Sequence, residues 1–181
     1  MAESNATTNC RLLLLSGELR NRIYRAAIVR NTRIVVGPRF PHELPLLSTC
    51  RQIRKETLRI FYTENQFELE IIAFQGAITV WWKRLLSIHA PGAYVTGVQL
   101  YGPPSWPNLL VWLKDFHQNR AMAPFPEKLP MEDRHLPDET GLALWSAFKV
   151  AEGCADLPWA DVERLLEVQH IMLARLHPGW L

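Results

Sequence analysis

The spacing of hydrophobic and polar residues predicts six helices and three short strands in this chain. Apolar residues recur at intervals of three and four, the period of one helix face, in six segments. These predicted helices cover residues 18–27, 45–62, 78–88, 107–119, 138–153 and 159–177. Runs of β-branched residues, or of alternating apolar and polar residues, predict strands over residues 32–36, 67–71 and 94–101. Because strands and helices alternate over residues 67–119, the pattern indicates an α+β fold.

The first two predicted helices each have an apolar face and a basic face. In the first helix the apolar face consists of Leu19, Ile23, Ala26 and Ala27, and the other face is rich in arginine. A proline at position 45 suits the first turn of the second helix. The apolar stripe of this second helix comprises Leu46, Leu47, Cys50, Ile53, Thr57, Leu58 and Phe61. We expect Asn65 to end the helix in the left-handed conformation.

The predicted elements suggest how the chain is organised. A length of 181 residues leaves room for one domain with a substantial buried core. We predict a disordered N-terminus over residues 1–10 and an α+β domain over residues 11–120. The four prolines between residues 121 and 137 predict a proline-rich loop. Residues 138–181 then form a helical pair, which we expect to pack on the same domain.

Composition narrows the class of protein. The chain is 48% hydrophobic and 21% charged, which is typical of a globular protein and not of a disordered one. Its apolar runs, such as the four leucines at residues 12–15, are far shorter than the roughly 18 residues of a membrane helix, so we expect no membrane association. The three cysteines are far apart and lack a C-x-x-C motif, and the N-terminus does not resemble a signal peptide. We therefore expect an intracellular protein of the cytoplasm or the nucleus.

The sequence offers little support for catalysis or metal binding. Two Glu-x-x-His pairs, at residues 132–135 and 167–170, have the spacing of di-iron ligands, but that site requires two further glutamates. The sequence contains neither a G-x-S-x-G nucleophile motif nor a glycine-rich phosphate loop. Cys50 lies in an apolar stripe, which favours a core position. We therefore interpret the chain as a non-enzyme with no catalytic residue, metal or cofactor.

The net charge of +2 conceals a basic N-terminal segment. Residues 11–60 hold eleven basic and three acidic side chains. The basic face of the second predicted helix consists of Arg51, Arg54, Lys55 and Arg59. Such a face has the charge needed to follow a phosphate backbone, and nucleic-acid binding is therefore one functional hypothesis. The competing interpretation is that these side chains are solvated or pair with the acidic remainder of the chain.

Three segments of the N-terminal third resemble the F-box-like proteins of filamentous fungi. They are LSGELRNRIY at residues 15–24, PLLSTCRQIRKE at residues 45–56 and FYTENQF at residues 61–67. The family includes domains named for an E-x-R motif, which occurs here at residues 18–20. The resemblance covers residues 12–70 and implies F-box-like N-terminal helices packed on a short sheet, with a helical C-terminal part.

The resemblance also implies a function. F-box helices bind a Skp1-type adaptor of a cullin ubiquitin ligase, and the rest of such a protein recruits a substrate for ubiquitination. Our leading hypothesis is therefore a non-catalytic protein–protein interaction module, with nucleic-acid binding as the alternative. An adaptor interface exposes apolar side chains. The candidates for that role are Leu12, Leu15, Leu19, Ile23, Tyr24, Leu46 and Leu47. The competing interpretation is that these residues close the protein's own core.

Overall fold

The computed structural model describes residues 10–38, 45–93, 95–124 and 139–181. Within these residues the fold is mixed α+β, which confirms the predicted class. The α-helices are α1 (Gly17–Ile28), α2 (Arg51–Glu64), α3 (Ala77–His89), α4 (Trp106–His117), α5 (Glu139–Gly153) and α6 (Trp159–Leu176). The strands are β1 (Ile34–Val36), β2 (Phe67–Ile72) and β3 (Gly97–Tyr101). Short 3-10 turns cover Arg11–Leu14, Pro45–Ser48 and Pro178–Trp180.

The three strands form a parallel sheet in the order β1-β2-β3. Parallel neighbours need a crossover connection, and α2 lies in the connection between β1 and β2 while α3 joins β2 to β3. On one face of β2, the side chains of Phe67, Leu69 and Ile71 are fully buried. On the opposite face of the sheet, Val35 and Ile72 remain about half exposed. The described helices therefore pack mainly on one side of the sheet.

Two adjoining clusters of buried side chains form the core. The first cluster joins α1, α2 and α3 to β1 and β2, and in it Phe67 packs against Trp82 with ring centroids 4.8 Å apart. The second cluster joins the end of β2 to α4, α5 and α6. Ile78 and Val98 pack against both clusters, so the core is continuous. The N-terminal helices thus pack on a short sheet, and the C-terminal helices extend the same core.

The second predicted helix, over residues 45–62, is divided in the structure. Pro45–Ser48 forms a separate 3-10 turn, and α2 begins at Arg51 because Cys50 has an extended backbone with φ −142° and ψ 165°. The left-handed helix end predicted at Asn65 is wrong, since the backbone there is extended at φ −99°. The Asn65 side chain instead donates a hydrogen bond of 3.0 Å to the carbonyl of Phe61 and so caps the last turn.

Two of the predicted segments lie largely outside the described residues. Only Cys10 of the predicted disordered N-terminus is described, and of the predicted proline-rich loop only residues 121–124 are described. Ala121, at the start of that loop, is fully buried. Among the helices that the structure describes, none combines the length and the apolar character needed to cross a bilayer.

Candidate functional sites on the N-terminal helices

Two ion pairs hold α1 against α2. Arg20 donates hydrogen bonds of 2.9 and 2.8 Å to the carboxylate of Glu56, and Arg25 donates bonds of 2.8 and 2.9 Å to Glu64. Between the two arginines, the fully buried Tyr24 donates its hydroxyl hydrogen to Glu56 at 2.9 Å. Burial and this hydrogen bond raise the pKa of Tyr24 to about 12, while the hydrogen bond from Arg20 lowers the pKa of Glu56 to about 2. The inner face of α1 is therefore fixed to the body of the protein.

This attachment leaves two apolar residues of α1, Leu19 and Ile23, facing outward. Leu19 is 46% exposed and Ile23 is 44% exposed, and their spacing of four residues places them on one helix face. We call this pair the outer face of α1. Tyr24, in contrast, belongs to the first core cluster, so its side chain is not available to a partner. The interpretation that the candidates close the protein's own core therefore holds for Tyr24, while Leu19 and Ile23 are left partly exposed.

The remaining candidates for partner binding are partly buried. Leu12 and Leu46 pack against the first core cluster, and Leu15 and Leu47 are likewise of intermediate exposure. Leu14, inside the apolar run of residues 12–15, is 74% exposed and is the most accessible leucine of that run. In this part of the structure, the exposed apolar surface is therefore formed mainly by Leu14 in the 3-10 turn and by Leu19 and Ile23 on α1.

The cationic candidates line one depression between α2 and α3. All four basic side chains are exposed, and they share this depression of about 410 Å³ with two apolar residues and a histidine. Its lining, which we call the basic groove, comprises Arg51, Arg54, Lys55, Leu58, Arg59, Ile88 and His89. Spacings of three, four and five residues along α2 bring the cations to one side of the helix. The predicted basic face is therefore a concave surface with apolar contributions from α2 and α3.

The arginines of α1 and those of the groove differ in their pairing. Arg20 and Arg25 are neutralised by carboxylates of α2. In the groove, Arg54 donates its Nε hydrogen to the carbonyl of Leu47 at 2.6 Å, which joins α2 to the preceding 3-10 turn. Within the described part of the chain, no carboxylate lies within 4.0 Å of the cationic nitrogens of the four groove residues. Pairing with acidic residues is thus found for Arg20 and Arg25, whereas the four groove residues are exposed to solvent, which is the other form of the competing interpretation.

The two residues that α3 contributes to the groove are missed by sequence reasoning. Ile88 belongs to the apolar stripe of the third predicted helix, where a core position is expected, but it is 62% exposed. The ring of His89 stacks on Tyr62 with centroids 6.1 Å apart and an interplanar angle of 13°. Neither position is marked by a local motif, because the groove arises only when α3 packs beside α2.

The second Glu-x-x-His pair has a structural role in α6. The Nδ1 atom of His170 lies 3.9 Å from the carboxylate of Glu167, and its ring stacks on Trp106 with centroids 4.3 Å apart. Its Nε2 atom makes a 2.8 Å hydrogen bond to the carbonyl of Trp180. The first pair, at residues 132–135, lies outside the described residues. In the ranges that the structure describes, no three potential ligands are grouped to hold a metal ion.

The three cysteines form no disulfide bond with one another. All three have free thiols of intermediate exposure. Cys50 packs against the first core cluster and precedes α2, so it is only partly buried where the sequence predicts a core position.

Comparison of the chain with family models, with curated proteins and with solved structures finds no match.

Proposed function

We propose that this protein is a non-catalytic protein–protein interaction module whose partner binds the outer face of α1. The observation that carries the proposal is the contrast between the two sides of this helix. The inner side is fixed by the Arg20–Glu56 pair, while Leu19 and Ile23 are each nearly half exposed. A partner that covers these side chains gains the free energy of removing apolar surface from water.

The anchoring of α1 favours such an interface. A helix that is already held in place loses little conformational entropy when a partner binds, so more of the contact energy appears as affinity. Exposed polar residues, including Glu18 and Arg22, flank the apolar pair on α1. An apolar centre with a polar rim is the usual composition of a protein interface. The resemblance to F-box-like proteins makes a Skp1-type adaptor the partner we propose, with substrate recruitment for ubiquitination as the function.

Calorimetry with a purified Skp1-type adaptor tests this proposal. We expect saturable binding to the unmodified chain, and a loss of affinity of about a hundredfold in the double variant Leu19→Glu/Ile23→Glu. Val111→Glu is the matched control, because Val111 is a 63%-exposed apolar residue of α4. Thermal unfolding shows whether both variants keep their fold. Absence of binding, or equal losses in the control variant, would contradict the proposal.

A second candidate function rests on the basic groove. Four cations without a carboxylate partner in the described residues line one concave surface, and Ile88 and Leu58 add apolar area for base contacts. Single-stranded nucleic acid combines a phosphate backbone with flat base faces and therefore suits such a groove. We propose this function as the alternative to adaptor binding.

Salt dependence separates the two candidate functions. Binding of a fluorescein-labelled oligothymidylate, followed by anisotropy, should weaken steeply with salt, because each phosphate contact releases counterions. We expect Arg51→Gln and Arg59→Gln each to reduce the slope of log affinity against log salt by about 0.7. Arg164→Gln, on an 81%-exposed side chain of α6, is the control. A slope unchanged by the groove variants would exclude the groove, whereas an apolar interface on α1 should respond little to salt.

A further inference from the structure

The solvent side of α6 carries a strip of apolar side chains. Toward the core, this helix buries Val162, Leu166 and Leu173. Its other side exposes five large apolar residues, each between 39% and 62% accessible, which are Leu165, Val168, Ile171, Met172 and Leu176. Intervals of three and four residues connect them along one side of the helix. We call these five residues the outer strip of α6.

An apolar strip of this kind is unusual on the surface of a globular protein. A surface helix normally presents a polar face to water, and a helix that is apolar on two sides is normally covered on both. Single exposed apolar residues are common, but five neighbours form a contiguous patch on the order of a few hundred Å², which is near the upper range for a monomer. The outer strip of α6 therefore has the character of an interaction surface.

Two opposite charges lie at the ends of the strip. Asp161 is in the first turn of α6, and Arg175 is in its last turn. Val168 is seven residues from each of them, so the three residues lie along one side of the helix. In the ranges that the structure describes, no carboxylate lies within 4.0 Å of Arg175, and the ion pair of Asp161 is the 3.4 Å contact with the 81%-exposed Arg164. Both charges are thus accessible to a partner.

We propose that the outer strip of α6 binds the same strip of a second copy of this chain, with the two helices antiparallel. Because Asp161 and Arg175 are equally far from Val168, a twofold axis beside Val168 brings Asp161 of each copy opposite Arg175 of the other. Leu165 and Ile171 lie three residues on either side of Val168, and they become opposite neighbours in the same way. The strip is therefore self-complementary, as a twofold interface requires.

The distribution of charge excludes the parallel arrangement of the two helices. Parallel helices would place Asp161 beside Asp161 and Arg175 beside Arg175, and like charges that face each other across an interface weaken association. The antiparallel arrangement forms two opposite-charge contacts instead. It also places the positive end of each helix macrodipole next to the negative end of the other.

The size of the strip predicts a weak dimer. The 18 residues of α6 give a contact about 27 Å long and about 10 Å wide. Such a contact is smaller than the roughly 800 Å² per partner of a stable complex, which is typical of a transient interaction. We therefore expect a dissociation constant on the order of 100 µM. The proposal does not depend on the function proposed for α1, because the strip lies on a different helix.

Sedimentation equilibrium of the full chain tests whether the strip mediates dimerisation. Over loading concentrations from about 10 µM to about 1 mM, we expect the average mass to rise from the 20.9 kDa of the monomer toward twice that value. Val168→Glu places two carboxylates beside the twofold axis and should weaken dimerisation at least tenfold. Val111→Glu makes the same change at a 63%-exposed residue of α4 and should leave the dissociation constant unchanged.

Exchange of the two charges tests the antiparallel arrangement. Asp161→Lys and Arg175→Glu each replace two attractive contacts with two repulsive ones, so each should weaken dimerisation by about three- to tenfold. The combined variant Asp161→Lys/Arg175→Glu has opposite charges at both contacts again, and its dissociation constant should return close to that of the unmodified chain. Arg175→Glu alone lowers the net charge from +2 to zero, which favours nonspecific association, so a weaker dimer in this variant indicates a specific contact.

Thermal unfolding shows whether each variant is folded. The proposal is overturned if the unmodified chain stays monomeric over the whole concentration range. It is also overturned if Val168→Glu dimerises normally or weakens dimerisation no more than Val111→Glu does. A combined charge variant as weak as the two single variants would exclude the antiparallel pairing of Asp161 with Arg175.

Discussion

Arg20 of α1 and Glu56 of α2 form a two-pronged ion pair, with Nε 2.9 Å from Oε2 and Nη2 2.8 Å from Oε1. The same carboxylate accepts a hydrogen bond from Tyr24 at 2.9 Å and one from Gln52 at 3.0 Å. Arg20 also donates to the carbonyl of Leu15 at 2.6 Å. The pair thus joins the E-x-R segment at residues 18–20 to the RKE segment at residues 54–56. Two parts of the sequence that carry the family resemblance are in direct contact.

Replacing Glu56 with glutamine should destabilise the protein. Glutamine has nearly the same shape as glutamate, but one of its two terminal atoms is an amide nitrogen. Its hydrogens would point at N–H or O–H groups that now donate to the carboxylate. Because these hydrogen bonds are charge-assisted and the Glu56 side chain is only 24% exposed, we expect Glu56→Gln to cost about 1–2 kcal/mol of the free energy of unfolding. Urea unfolding measures the loss as a lower midpoint at constant m-value.

Glu64→Gln provides the matched control for that variant. The pair between Arg25 and Glu64 has similar geometry, but its side chains are 49% and 33% exposed, and water already screens their charges. We expect a smaller loss of stability than for Glu56→Gln. Equal losses for the two variants would show that burial of the Arg20–Glu56 pair adds nothing.

Stability should fall in acid partly because Glu56 becomes protonated. Its pKa is lowered from 4.5 to about 2, chiefly by the hydrogen bond from Arg20, so the folded state favours the carboxylate. The resulting stabilisation is fully present above pH 4.5 and is lost as the pH falls toward 2. Urea midpoints of the unmodified protein and of Glu56→Gln should therefore converge over that range. A difference that stays constant down to pH 2 would show that the carboxylate does not titrate as stated.

The extent of α1 could be predicted from the sequence, but the side that it buries could not. Residues 18–27 are helical as predicted. The periodicity also identifies Leu19 and Ile23 as one face, yet the buried face carries Tyr24 and Ile28. A hydrophobic pattern cannot foresee this outcome, because Arg20 is kept inside by a carboxylate 36 residues away in the chain. A partly buried ion pair between two helices makes an arginine-rich face suitable for packing.

The basic groove was likewise only partly predictable. Arg51, Lys55 and Arg59 are spaced four residues apart, so a helix places them on one face regardless of its tertiary packing. The other side of the groove comes from Ile88 and His89, which approach α2 only through the tertiary packing of α3.

Asn65 should be sensitive to replacement by aspartate. Its Oδ1 atom accepts from the backbone of Arg30 at 2.8 Å, and its Nδ2 atom donates to the carbonyls of Ile28 and Phe61 at 3.1 and 3.0 Å. Aspartate would place a buried negative charge beside two carbonyl oxygens and remove both donors. We expect Asn65→Asp to cost about 2–4 kcal/mol of the free energy of unfolding at pH 7.

Two comparisons make the Asn65 prediction specific. Asn65→Ala removes the same hydrogen bonds without adding a charge, so we expect its urea midpoint to lie above that of Asn65→Asp. The difference should shrink as the pH falls, because a protonated aspartate is neutral and donates one hydrogen bond. If Asn65→Asp were as stable as the unmodified chain at pH 7, the side chain would not connect the ends of α1 and α2 as described.

Gly76 should not tolerate a side chain, because the ring of Trp112 occupies the space. A Cβ atom at this position would fall within the van der Waals radii of Cγ and Cδ1 of Trp112. Trp112 has little freedom to move, since it is 1% exposed and donates its indole hydrogen to the carbonyl of Met122 at 2.9 Å. We expect Gly76→Ala to cost about 1–3 kcal/mol, the usual cost of overpacking a core.

Gly153→Ala distinguishes this steric effect from a general effect of replacing glycine. At Gly153, the last residue of α5, an added Cβ has no atom within 4 Å. Alanine there restricts the unfolded chain and suits the helix, so we expect a stability equal to or slightly above that of the unmodified protein. The midpoint of thermal unfolding should therefore be lower in Gly76→Ala and unchanged or higher in Gly153→Ala. A parallel decrease in both variants would mean that the loss at Gly76 does not come from contact with Trp112.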